Sequence, residues 1–319
     1  MRFVFRHYFS ISHIFLSLVS WKKYWLHFEF LELSVLRNPH FANTFSVSRN
    51  LLRMQQTIEI QKQIDNYLSI VQNILNQNTY QNQSPENYLF LKILERFSIN
   101  LDSTNILLSE VETKTYREFS IKLILRTNLL DFIIINFLGN LISKIKSPTD
   151  YENDIKYQES LDKILCEQAS YDFKNLKLLL SKGIITREEY EAKINIIFKV
   201  FKIYISEVNI DYQYPERNLK YNKFLSVVEM FKQFSENNLT KKFANVYELY
   251  HKFSKYEHVG LLTHHYQIEN KNLILNDILF AIKFCIKGTL ICTHLINHSD
   301  ENINNLIEIE ENLDTINYS

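Results

Sequence analysis

Glycine occurs only four times in 319 residues, and so does proline, where average usage is about 7% and 5%. Strands need turns, and turns draw on these two residues. The scarcity therefore excludes a strand-rich fold and predicts a nearly all-helical protein. Cysteine is scarce too. Cys166, Cys285 and Cys292 leave no room for a disulfide framework. Cys285 and Cys292 stand seven apart on one helix face with apolar neighbours and read as buried free thiols, which fits a reducing cytoplasm. An excess of one charge is also missing: 36 basic residues balance 36 acidic ones. That excludes a generic nucleic-acid coat and leaves a local basic site open. There is no Gly-rich phosphate loop, no fixed-period repeat and no strong catalytic or metal signature.

What is present is globular in composition, 46% hydrophobic and 23% charged, unlike a disordered chain. The balanced charge is unevenly placed. Residues 1–53 hold seven basic residues and two acids, a net +5, and the remainder is therefore −5. His7 to Trp21 is an uncharged run, shorter than the roughly 20 residues of a membrane span. It lacks the small-residue cleavage site of a signal peptide and loosely resembles a transit peptide. The favoured reading is that residues 1–53 are an upstream extension that packs poorly. A bundle domain over 54–298 then begins near Met54, where regular helical spacing starts. The end, 299–319, has Asp300, Glu301, Glu308, Glu310, Glu311 and Asp314 with no Lys or Arg, and reads as a solvated acidic tail.

Within 54–298 the predicted architecture is all-α, a multi-helix bundle around a buried central helix near 115–144. That segment is apolar on almost every face, as a central bundle helix is, and Leu123, Ile124, Phe132, Ile133, Ile135 and Phe137 are its expected core. Phe253 and Phe280 join from later helices. Other helices are expected from Arg53 to Gln77, from Pro85 onward, and from Tyr151 to Ser181. A stop follows at Gly183, and the capping box at Thr186–Glu189 starts the next helix. Three more are expected over Leu219–Phe234, Thr240–Glu257 and Asn270–Asn297.

Residues 247–265 carry four of the ten histidines, His251, His258, His264 and His265. On a helix Tyr247, His251, Ser254 and His258 share one stripe beside the apolar face, at the core edge where pKa values shift. The bland alternative is a helix flank with ordinary hydrogen bonds. No metal set is expected, because His251 and His258 are two turns apart rather than at i, i+4. Arg126 and Asp131 interrupt the central helix, and buried charges need partners. Glu257, on the apolar side of its own helix, is an obvious partner for Arg126. A pocket is expected if Arg126, Glu257 and His258 converge, and a structural salt bridge if they do not. Lys283 and Lys287 sit four apart in the last apolar helix, either reaching water along apolar stems or forming an anion site.

The segment Arg126-Thr-Asn-Leu-Leu-Asp131, followed more than a hundred residues later by Tyr247-x-x-x-His251-x-x-Ser254-Lys-Tyr-Glu257-His258, resembles an uncharacterised all-helical bacterial family over about residues 54–298. That family is distantly similar to HEPN domains, helical bundles that include metal-independent ribonucleases of toxin–antitoxin and phage-defence systems. Their signature is Arg-x(4–6)-His. Here the nearest equivalent is Lys252-x5-His258, with Lys for Arg and with Phe253 where HEPN enzymes carry a polar residue. The absence of a strong catalytic motif points to a binding or regulatory role, in bacterial stress or phage defence, with Tyr247, His251, Ser254, Glu257 and Asp131 as binding residues. The HEPN resemblance implies the alternative, a ribonuclease, with His258 as base on a ribose 2′-hydroxyl and Lys252 or Arg126 stabilising the phosphate. A third reading is membrane association through residues 1–53. No cofactor is expected, and the expected partners are RNA, a protein, or a second copy in a homodimer.

Overall fold

The computed structural model describes residues 39–78, 83–111, 117–147, 149–203, 205, 209–235, 243–254, 271–296 and 299–316. Among them are nine α-helices: α1 (Pro39–Gln77), α2 (Pro85–Leu108), α3 (Arg117–Lys144), α4 (Tyr151–Ser181), α5 (Arg187–Phe201), α6 (Val227–Ser235), α7 (Ala244–Ser254), α8 (Lys271–Leu295) and α9 (Asp300–Asp314). No β-strand occurs among the described residues. The chain divides between Arg53 and Met54 into two compact units, and the second, Met54–Ser319, holds the bundle. Most of the first lies outside the described residues, and with it the expected loose packing and membrane association of 1–53.

Local sequence sets the helix ends. Pro85 occupies the first turn of α2, where its missing N–H costs nothing, and Ser84 Oγ caps the helix by accepting from Asn87 N at 3.1 Å. Gly183 takes a left-handed φ of 65° just past α4. Thr186 and Glu189 then form the expected reciprocal capping box, at 3.2 and 2.8 Å. Residues 219–226 are not helical as expected. Lys220 N bonds Ile203 O at 2.7 Å and Ile205 N bonds Asn218 O at 2.9 Å, so the backbone at 218–220 is paired to the segment after α5. The first helix begins at Pro39, ahead of the expected Arg53.

Helix α3 is the spine. It packs against α2, α4, α6, α7 and α8, and Phe132, Ile133, Ile135 and Phe137 are fully buried. Buried polar residues bond across the bundle. Asn128 accepts from Asn100 Nδ2 at 2.6 Å and donates to Cys285 Sγ at 3.1 Å. Tyr67 Oη and Thr289 Oγ1 lie 2.8 Å apart. Gly288 lets α8 approach closely: a Cβ there would lie 2.8 Å from Phe97 Cε2 and 3.3 Å from Phe132 Cδ2. The three cysteines are free and buried, as expected.

Three core assignments and one terminal assignment need correction. Leu123 is 37% exposed and Phe280 41%, and Ile124 is half-buried. Leu123 and Thr127 are exposed and Leu130 half-buried along one side of α3, a side that an all-round apolar sequence does not mark. Phe280 lies at the rim of α8, with the Lys283 ammonium 5.6 Å from its ring centroid. The acidic end is not a solvated tail. Residues 300–314 form α9, and its Asn302, Leu306, Ile309 and Leu313 are buried, chiefly against α8.

Candidate functional site

Helix α7 buries Val246, Leu249 and Phe253. Ser254 and Lys252 fall on opposite flanks of that buried stripe, about 200° apart at two residues' separation. Each flank builds a different polar group.

On the first flank, Arg126 of α3 reaches α7. Its Nε donates to Ser254 Oγ at 2.9 Å, and Ser254 Oγ donates to Tyr250 O at 2.7 Å. The guanidinium carbon stands 5.4 Å from the Tyr250 ring centroid, a cation–π distance. The side chain is thus held by a hydrogen bond at its base and by the Tyr250 ring under its guanidinium carbon. Along the same flank Tyr247 stacks on Phe231 of α6, with centroids 4.3 Å apart and planes at 16°. His251 meets Tyr247 edge-on at 4.3 Å and is exposed. The predicted stripe Tyr247–His251–Ser254 is therefore assembled, and Arg126 belongs to it.

On the second flank, Lys252 forms an ion pair with Asp277 of α8. Nearby Lys122 of α3 is almost fully buried. Burial pushes its pKa down to about 8, against the opposing pull of Asp277 and Glu118. Lys252 is thus a structural partner of α8 here, and Arg126 is bonded on the other flank.

Asp131 joins neither group. It is five residues beyond Arg126, about 140° around α3. Its two oxygens accept from Arg96 Nη2 at 2.6 Å and Nε at 3.0 Å, and Arg96 Nη1 reaches Gln168 Oε1 at 3.4 Å. Burial raises the Asp131 pKa to about 6 although Arg96 opposes the shift. A shallow cavity of about 380 Å³ opens beside this pair, lined by Ile99, Asn100, Thr127 and Leu130. Lys283 and Lys287 pair with Asp314 and Glu310 of α9.

Residues 255–270 lie outside the described residues. The expected Arg126–Glu257 pair and the position of His258 fall there, as do His264 and His265. Among the described residues no group of three His, Cys, Asp or Glu side chains is placed to hold a metal ion. One described helix segment, Leu275–Leu295, is long and apolar enough to cross a membrane by length and composition, and 67% of that window is buried in the bundle. Sequence reasoning missed Phe231, Arg96, Lys122, Glu118 and Asp277. Glu118, Lys122 and Arg126 recur every four residues along one side of α3, a spacing that marks a shared polar stripe. Compared with known protein families, curated proteins and solved structures, the chain matches none.

Proposed function

We propose that the protein is a helical-bundle binding protein with a regulatory role, that its working face is the α3–α7 flank around Arg126, and that its partner is single-stranded RNA. The observation that carries this reading is the fixing of a part-exposed guanidinium by Ser254 and Tyr250 beside the ring row of Phe231, Tyr247 and His251. A planar guanidinium held in one orientation suits a phosphate, and aromatic faces beside it suit unpaired bases. The sequence bordering α7 adds Lys241, Lys242, Lys255 and His258. The resemblance read from the Arg126–Asp131 and Tyr247–His258 segments suggests a setting for this role in bacterial stress response or phage defence.

Fluorescence anisotropy of a labelled short oligoribonucleotide tests it, using the full chain at low ionic strength. Binding is expected, with Tyr247→Ala costing about 1–3 kcal/mol for one lost stacking contact. Arg126→Ala should reduce the salt slope by about one. No anisotropy change at low salt sinks the proposal.

Ribonuclease activity is the second reading. It is favoured by the placement of Arg126 on the Tyr247–His251 flank, where it can face a phosphate. Gel analysis of the same RNA after incubation distinguishes the two: cleavage abolished by His258→Ala with binding retained supports the enzyme, and intact RNA supports binding alone.

A further inference from the structure

Helix α8 has one face inside the bundle and one beneath α9. The inner face carries Gly288, close to Phe97 and Phe132, and Cys285, bonded to Asn128. Lys283 and Lys287 lie away from it. At about 100° per residue, Leu279, Ile286 and Leu290 fall within about 60° of Lys283, and all three are buried. Helix α9 is anchored over this side: Asp314 Oδ1 is 3.1 Å from Lys283 Nζ, and Glu310 Oε1 is 3.1 Å from Lys287 Nζ.

Helix α9 has the features of a cover. It packs chiefly against α8, and only four residues separate the two helices. It carries six acids and no cation. Desolvation offsets much of the Coulombic gain in such pairs, and burial pushes the Lys283 pKa down. The pairs therefore set register and sign more than they add stability. The face beneath is an apolar stripe edged by two lysines, the pattern of a helix that lies in a membrane interface with its ammonium groups among headgroups. The exposed ring of Phe280 borders Lys283, and aromatic side chains favour that depth.

We propose that α9 is an intramolecular cover, and that the α8 face of Leu279, Lys283, Ile286, Lys287 and Leu290 docks on an anionic lipid bilayer when α9 leaves it. The acidic helix shows which sign of charge this face accepts. The apolar residues beside the lysines call for hydrocarbon, which a nucleic-acid backbone does not offer. This surface is distinct from the Arg126 flank.

The test is co-sedimentation of the full chain with vesicles of phosphatidylcholine alone and of phosphatidylcholine with one-third phosphatidylglycerol. Two variant pairs release the cover: Glu310→Lys with Asp314→Lys, and the milder Glu310→Gln with Asp314→Asn. Hydrogen exchange reports whether the α9 amides have lost protection. Wild type is expected to sediment weakly, and the released variants to sediment with the anionic vesicles only. Adding Lys283→Gln and Lys287→Gln to the milder pair should lower partitioning about 30-fold, since each lysine near an anionic leaflet contributes about fivefold. If the charge-reversed pair unfolds, the milder pair decides. Protected α9 amides in the milder pair overturn the cover. Deprotected amides without sedimentation, equal sedimentation with neutral vesicles, or capture of RNA at this face in place of vesicles overturn the lipid assignment.

Discussion

Arg126 and Ser254, 128 positions apart in the chain, are joined by a 2.9 Å hydrogen bond from Nε to Oγ. This contact ties the central helix α3 to the end of α7. A double-mutant cycle on Arg126→Ala and Ser254→Ala, read by urea unfolding, should give a coupling energy of about 0.5–1.5 kcal/mol. The lower part of the range applies because both groups are only half-buried. Additive losses would mean that the two side chains act independently.

The spine supplies a paired comparison. Phe132 is fully buried, its ring 4.9 Å from that of Phe284 and 5.5 Å from that of Phe243. Phe132→Ala should cost about 3–5 kcal/mol. Leu123→Ala, nine residues away on the same helix but at the exposed stripe, should stay within about 0.5 kcal/mol. Equal losses at the two positions would show that the exposed stripe of α3 is covered in solution.

Glycine tests how closely α8 packs. At Gly288 an added Cβ would meet Phe97 Cε2 at 2.8 Å, whereas at Gly139 the nearest atom is Ile291 Cγ2 at 3.8 Å. Both lie inside helices, where Ala is favoured over Gly by about 1 kcal/mol. Gly139→Ala should therefore raise the melting temperature by a few degrees. At Gly288 overpacking of about 1–3 kcal/mol outweighs the helix gain, and the melting temperature should fall. A rise in both would show that the Phe97 ring shifts freely.

Local spacing and tertiary packing differ in how much of them a sequence displays. The all-α class, the spine and the Thr186–Glu189 box follow from local spacing, which is open to direct reading. So does the Tyr247–His251–Ser254 stripe, because its members lie on one helix. The partners Phe231, Arg96 and Asp277 come from other helices, and only tertiary packing selects them. Arg126 and Asp131 looked like one group because they are near in sequence, yet five residues on a helix send them to opposite sides of α3. Helix α9 was hidden by its acids. Leu306, Ile309 and Leu313 had helical spacing within the acidic end, and two of the charges that suggested solvation, Glu310 and Asp314, pair with Lys287 and Lys283.

Asp131 makes the pH dependence of stability readable at one residue. Its carboxyl is raised from 3.8 to about 6, by burial first and against the pull of Arg96. The native state therefore holds this proton at pH values where the unfolded chain has released it. Stability linked to the group is greatest at the acid end and is lost as pH rises from about 4 to about 6, at about 1.4 kcal/mol per unit. Above that window the contribution is flat. Asp131→Asn keeps the shape and cannot ionise, and Arg96, whose side chain is 39% exposed, can turn to water. The unfolding free energy of the variant minus that of wild type should therefore climb between pH 4 and 6 and level off by pH 7. Taking the difference cancels the titration of every other group that the substitution leaves alone. A difference independent of pH over this range, measured by urea unfolding at half-unit steps, would show that Arg96 holds the Asp131 carboxyl at its ordinary pKa. A difference falling with pH would mean that the pair stabilises the ionised form outright.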